Sequence, residues 1–135
     1  MTKTFIDTNI FLRYLTKDDP IKYERCRELF KKALEGETAL ATSGIVIAEL
    51  VWTLLSYYKV PKNDVIDKIS IIVATEGIDI PDRNIIADAL VLYGRNKIDY
   101  IDAYNAVFMR YHKMSEIYSY DEDFDRIEGT RRKEP

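Results

Sequence analysis

Apolar and polar positions along the chain follow two rhythms. Short apolar runs recur at Phe5-Ile6, Thr38-Ala39-Leu40-Ala41-Thr42, Ile78-Asp79-Ile80 and Glu116-Ile117-Tyr118-Ser119, and each reads as a short strand. Between them lie longer segments with apolar residues at helical spacing. An Asp ahead of Pro20 predicts a helix from Pro20 to Glu35, stopped by Gly36. Cys26, Leu29, Phe30, Ala33 and Leu34 share one face of it. A second helix is predicted from Gly44 to Tyr58, capped by Ser43 or Thr42. It is almost wholly apolar, which predicts a central position. A third starts at Val60-Pro61 and ends near Glu76-Gly77, with Val65, Ile66, Ile69, Ile72 and Val73 inward. A fourth runs from Arg83, capped by Asp82, to Tyr93 and Gly94. A fifth follows Asp99 and continues to about Met114, with Ile101, Tyr104, Val107, Phe108 and Tyr111 toward the core. Phe124 and Ile127 are expected to close the core. Alternating strands and helices predict an α/β fold around a short parallel sheet. One domain, residues 1–128, is expected, with a polar, basic, frayed tail over 129–135.

The chemistry is in the acids. Asp7 follows the first strand directly, and Asp7-Thr8-Asn9 suits a turn into a helix. Asp121 likewise follows the last strand. Asp102 sits in the first turn of the fifth helix, with Asp99 as its cap. Glu49 stands alone among apolar residues in the second helix, and carboxylates are almost never buried without a partner. In open parallel sheets ligands bind at the carboxyl ends of the strands. There Asp7, Glu49, Asp102 and Asp121 would converge. Two such charges about 5 Å apart repel by roughly 3 kcal/mol at an effective dielectric of 20. A cluster of this kind needs a cation, and an all-oxygen donor set selects Mg²⁺ or Mn²⁺ over zinc. Such ions activate water against a phosphodiester.

Bulk properties narrow the setting. The 135 residues are 47% hydrophobic and 32% charged, with only 5 glycines and 4 prolines, as in a globular protein. A net charge of −3 argues against coating nucleic acid by bulk electrostatics, but not against handling it at a metal-loaded site. No apolar run is long enough to span a membrane. A single cysteine, Cys26, and no signal-peptide pattern make the cytoplasm the expected location. Cys26 reads as a packing residue, and His112 as part of a basic, exposed helix end beside Arg110 and Lys113.

Four segments together resemble the PIN domain family, and in particular its VapC-type toxin ribonucleases. They are Phe5 to Leu15 with Asp18-Asp19-Pro20; Ser43 with Ala48-Glu49-Leu50-Val51-Trp52; Asp99-Tyr100-Ile101-Asp102-Ala103; and Tyr120-Asp121-Glu122-Asp123-Phe124. They come in family order and span nearly the whole chain. The resemblance implies a three-layer α/β/α sandwich with a short central parallel sheet. It also implies a Mg²⁺- or Mn²⁺-dependent endoribonuclease, typically a homodimer silenced by a cognate VapB-like antitoxin. By motif position Asp7, Glu49 and Asp102 match the core acids, and Asp121 the more variable fourth. Asp99 matches an accessory acid. Asn9 matches a polar position able to orient a carboxylate or water. Ser119 stands where the family often has Thr. Asp123 is a rival to Asp121, which its spacing to Phe124 favours. Arg13, Lys17, Arg110 and Lys113 are candidates to place RNA, whereas Tyr14, Trp52 and Tyr104 read as core.

Two other classes compete. One is a non-catalytic PIN-fold module that binds RNA or a partner. The other is a phosphoryl-transfer or receiver-like domain. The first form of the latter needs a second Asp where Asn9 stands, and a receiver needs a strand-end Lys that Ile117-Tyr118-Ser119 does not offer.

Overall fold

The computed structural model describes residues 2–135. The chain forms two compact units, one running to Asp82 and one from Arg83 to Pro135.

The first unit is built from β1 (Lys3–Phe5), α1 (Thr8–Thr16), α2 (Pro20–Leu34), β2 (Ala39–Ala41), α3 (Gly44–Ser56), α4 (Lys62–Ala74) and β3 (Ile78–Asp79). The three strands pair in parallel in the order β1-β2-β3, with Lys3 opposite Ala39 and Leu40 opposite Ile78. Parallel neighbours need a crossover, and each crossover here is a helix pair. Leu40 and Ile78 are buried, as are Ile6 and Ile80 just past the strand ends. The buried Thr42 hydroxyl donates to the Ile6 carbonyl over 2.9 Å and ties the ends of β1 and β2 together.

Asp19 caps α2 by accepting from the Lys22 amide, with Pro20 at the first helical position, and Ser43 caps α3 through the Val46 amide. Cys26 is a free, buried thiol whose pKa is raised by that burial, in keeping with a packing role. The expected all-round burial of α3 does not hold. Val46, Ile47, Leu50, Val51 and Leu54 are buried, but Ile45 is 81% and Trp52 66% exposed. Apolar content gives the helix its core face, yet a folded chain still leaves some large apolar side chains at its surface.

Gly77 connects α4 to β3 in a conformation with φ +89°. A Cβ there would stand 2.5 Å from the Ala33 carbonyl oxygen at the end of α2. Its own carbonyl accepts from Leu40 in β2. Gly77→Ala is expected to destabilise the protein by about 3 kcal/mol, combining left-handed strain with overpacking against backbone. Urea denaturation measures it, and a midpoint matching wild type would refute the tight approach.

The second unit comprises α5 (Arg83–Arg95), α6 (Tyr100–Tyr111), β4 (Glu116–Tyr118), a 3₁₀ turn (Glu122–Arg126) and β5 (Arg131–Lys133). Helix α5 runs through Gly94 rather than ending there. In α6 the buried face is Tyr100, Ala103, Ala106, Val107 and Met109, while Ile101, Phe108 and Tyr111 are largely exposed. The expected face was thus turned by about one position. The small Ala103 and Ala106 take the inner positions, where helices packing closely favour small side chains over bulk.

The C-terminal segment also differs from expectation. Arg131–Lys133 do not fray but pair in parallel with β4. Their side chains alternate with the strand period of two. Arg131 and Lys133 both reach Glu116, at 2.6 and 2.9 Å, while Arg132 turns the other way to Asp125. These two partners hold the Glu116 carboxyl down at about pKa 2.

Candidate metal centre

In the first unit, Asp7 occupies the N-cap position of α1, but its carboxylate makes no capping hydrogen bond. It is exposed, and a capping role does not account for it. The next residue, Thr8, is buried, and its hydroxyl has no hydrogen-bond partner among the described residues. The Tyr100 hydroxyl of the second unit is the other buried side-chain oxygen without a partner among the described residues. Glu49 is exposed on α3, so its apolar sequence neighbours do not bury it. Helical spacing puts it on the same stripe as Ile45 and Trp52, so apolar groups flank it on the exposed side.

In the second unit three carboxylates meet. Oxygens of Asp102, Asp121 and Asp123 lie within 4.8 Å of one another. Each is placed by local backbone chemistry. Asp99 caps α6 by accepting from the Asp102 amide at 2.9 Å, which orients the first turn. The Ser119 hydroxyl accepts from the Asp121 amide at 3.0 Å, and the Asp121 carboxylate accepts from the Asp123 amide at 2.9 Å. These two-residue steps are the local turns that Ser and Asp favour. Ser119 is held in turn by the last strand: its amide donates to the Lys133 carbonyl, and its own carbonyl accepts from Arg132. Arg126 pairs with Asp123 at 2.7 Å and offsets part of the charge.

The cluster leaves its mark on Asp102. Partial burial, then the charges of Asp99 and Asp121, a hydrogen bond with Asp121 and the charge of Asp123 push its carboxyl up to about pKa 6. A carboxyl that resists ionisation among other carboxylates is one a cation would relieve.

The structure thus joins Asp123 to Asp102 and Asp121, where the sequence had set it against Asp121. The available signal was the two-residue spacing itself, which lets one Asp cap the amide of the next. Among the basic candidates, Arg13 makes an ion pair with Asp18 at 2.9 Å, and Tyr58 donates to the same carboxylate. The Lys17 ammonium lies over the Tyr23 ring. Arg110 borders a groove of about 290 Å³ with Asp88, Val91, Leu92 and Arg95. Lys113 and His112 are exposed at the end of α6. Tyr14 stacks on Tyr23 and meets Phe30 edge-on, whereas Trp52 is at the surface, contrary to the core position expected for it.

The structure is thus an α/β protein with strand-end carboxylates and one three-Asp cluster among the described residues. The family follows from sequence comparison: the PIN domain model matches residues 4–130, and the chain belongs to the PIN domain family. No curated protein matches it. Solved structures similar to it include VapBC2 from Rickettsia felis, bound to a DNA fragment from the proteins' promoter. The identity is 20%, 96% of each chain is covered, and the TM-score is 0.38. Another is VapC20 of Mycobacterium tuberculosis, described as a Sarcin-Ricin loop cleaving toxin. That match has 20% identity, 90% of this chain and 92% of that chain covered, and a TM-score of 0.38. No helix among the described residues is long and apolar enough to cross a membrane.

Proposed function

We propose that this chain is a Mg²⁺- or Mn²⁺-dependent endoribonuclease, the toxin of a VapBC-type toxin–antitoxin pair. The observation that carries the reading is the carboxylate cluster of Asp102, Asp121 and Asp123, in a chain of the PIN domain family. The donors fit the ion: they are all carboxylate oxygens, one of them with a raised pKa, and no thiol or imidazole stands among them. Asp7, Glu49, Asp102 and Asp121 are assigned the metal-binding and catalytic roles by their motif positions. Asp123 is added on its place in the cluster, and Asn9, Asp99 and Ser119 act as accessories. When bound, the ion supplies positive charge for the developing phosphoryl oxyanions and an acidified water.

The chain's own residues do the positioning. Asp99 fixes the first turn of α6 and so the direction of Asp102. Ser119 fixes Asp121 through its amide, and Asp121 fixes Asp123. Asp102, its carboxyl pushed up to about pKa 6 by burial and by the neighbouring acids, can hold a proton at lower pH. Arg13, Lys17, Arg110 and Lys113 place the RNA strand. A cognate VapB-like antitoxin, a homodimeric state and a cytoplasmic location complete the proposal.

The deciding experiment is cleavage of total RNA in Mn²⁺, Mg²⁺ or EDTA, with Asp7→Asn purified identically. Discrete, metal-dependent cuts that leave 5′-phosphates and vanish in the variant are expected. Equal behaviour of the two proteins would remove the nuclease and favour a PIN-fold module that only binds RNA or a partner.

A further inference from the structure

Helices α1 and α2 enclose a groove of about 410 Å³ lined by Asn9, Ile10, Arg13, Lys22, Arg25 and Cys26. It is lined by three cations and an amide, with no carboxylate, in a chain whose net charge is −3. The spacing makes it a built surface. Asn9 and Arg13 are one turn apart on α1, and Lys22, Arg25 and Cys26 are one turn apart on α2. The groove therefore has a polar wall from each helix and an apolar floor. Arg13 is fixed by its ion pair with Asp18, which the Tyr58 hydroxyl also contacts. Lys22 and Arg25 form no ion pair among the described residues and are exposed. Asn9 stands two residues beyond Asp7, so the groove begins within a turn of that strand-end carboxylate.

We infer that the α1–α2 groove binds the phosphate backbone of RNA flanking the bond to be cut, with Lys22 and Arg25 as its free cations. The inference rests on the ribonuclease reading and extends it to residues that reading does not name. Successive phosphates are a ladder of evenly spaced anions. Cations one helical turn apart, about 4.5 Å in rise, with a third across the groove, suit such a ladder better than a single anion. The apolar floor leaves room for sugars rather than water.

The test is binding of a labelled single-stranded RNA oligonucleotide in EDTA across a salt series, for wild type and for Lys22→Gln/Arg25→Gln. Affinity is expected to fall about tenfold in the variant. The slope of log affinity against log salt should fall by about 1.4, two phosphates at about 0.7 each. Both side chains are exposed on α2, so an unchanged melting temperature accompanies the loss. Wild type that binds no RNA, or a variant with wild-type affinity and slope, overturns the inference. So does wild type that prefers a polyglutamate peptide to RNA through these two residues. Cleavage in Mn²⁺ is measured separately. If wild type cuts RNA and the variant binds normally, the nuclease stands and the groove falls. If the variant loses binding and wild type cuts nothing, the groove stands and the nuclease falls.

Discussion

Asp102→Asn is expected to make the metal-free protein more stable at pH 7 while removing the metal-dependent cleavage proposed for it. The folded protein holds the Asp102 carboxyl at about pKa 6, well above the ordinary value of 3.8. Between those values the folded state binds more protons than the unfolded state. The contribution of this group to stability is therefore greatest below about pH 4, falls as pH rises to 6, and is level above. A shift of roughly two units corresponds to about 3 kcal/mol at full strength. The carboxyl is only partly buried, and solvent screening lowers the expected gain on neutralisation to about 1 kcal/mol. The asparagine amide can still donate to Asp121. In EDTA the variant should melt above wild type at pH 7 and level with it near pH 4. Magnesium at about ten times its dissociation constant should add roughly 1.4 kcal/mol to wild type and much less to the variant. Below pH 6 a cation must displace the Asp102 proton, so metal affinity should weaken with acid. Activity should drop by more than about 100-fold, since even outer-shell partners of a metal cost about 10–100-fold when lost. Identical melting and identical response to Mg²⁺ in the two proteins would dismiss the cluster as a metal site.

The second large effect is structural. Phe11→Ala should destabilise the protein by about 3–5 kcal/mol. Phe11 is fully buried in the first turns of α1 and stacks on Phe30 of α2 at 5.7 Å, and Tyr14 meets Phe30 edge-on at 4.9 Å. Removing the ring empties the joint between the two helices. Against a typical total of about 5–15 kcal/mol, that loss is a large fraction. Phe11→Leu keeps most of the volume and should cost less than about 1.5 kcal/mol. Chemical denaturation of both variants checks the pair. Equal, small losses would mean that the α1–α2 joint collapses onto the gap without cost.

The legible parts of the fold were those written in local chemistry. Asp19-Pro20, Ser43 and Asp99 are caps whose partners lie three residues on, and all three appear where the spacing puts them. The parallel sheet followed from the alternation of strands and helices. What the sequence did not reveal depends on the neighbour met across space. Trp52 is as apolar as its buried neighbours Leu50 and Val51, and periodicity alone did not say that it faces outward. In α6 the bulky Phe108 looked like core, whereas Ala103 and Ala106 hold that place. The strand at Arg131–Lys133 is strongly basic, and its order comes from Glu116 and Asp125, both distant in sequence from a reading of local propensity. At the candidate centre, Asp102 and Asp121 were found as acids at helix mouths and strand ends. Asp123 was set aside because a two-residue step looks like competition until the backbone turn joins both.

A ribosome makes the carboxylate loop after the whole of the first unit. The β1-β2-β3 sheet is complete once Asp79 has been added, and N-terminal units fold first during synthesis. Ser119 and Asp121 follow much later, and the groups that hold Ser119 come later still: the Arg132 guanidinium and the Lys133 carbonyl. A growing chain therefore has every strand of the parallel sheet while the turn bearing Asp121 and Asp123 is still untethered. The acids gain this tether only after Lys133 has been added.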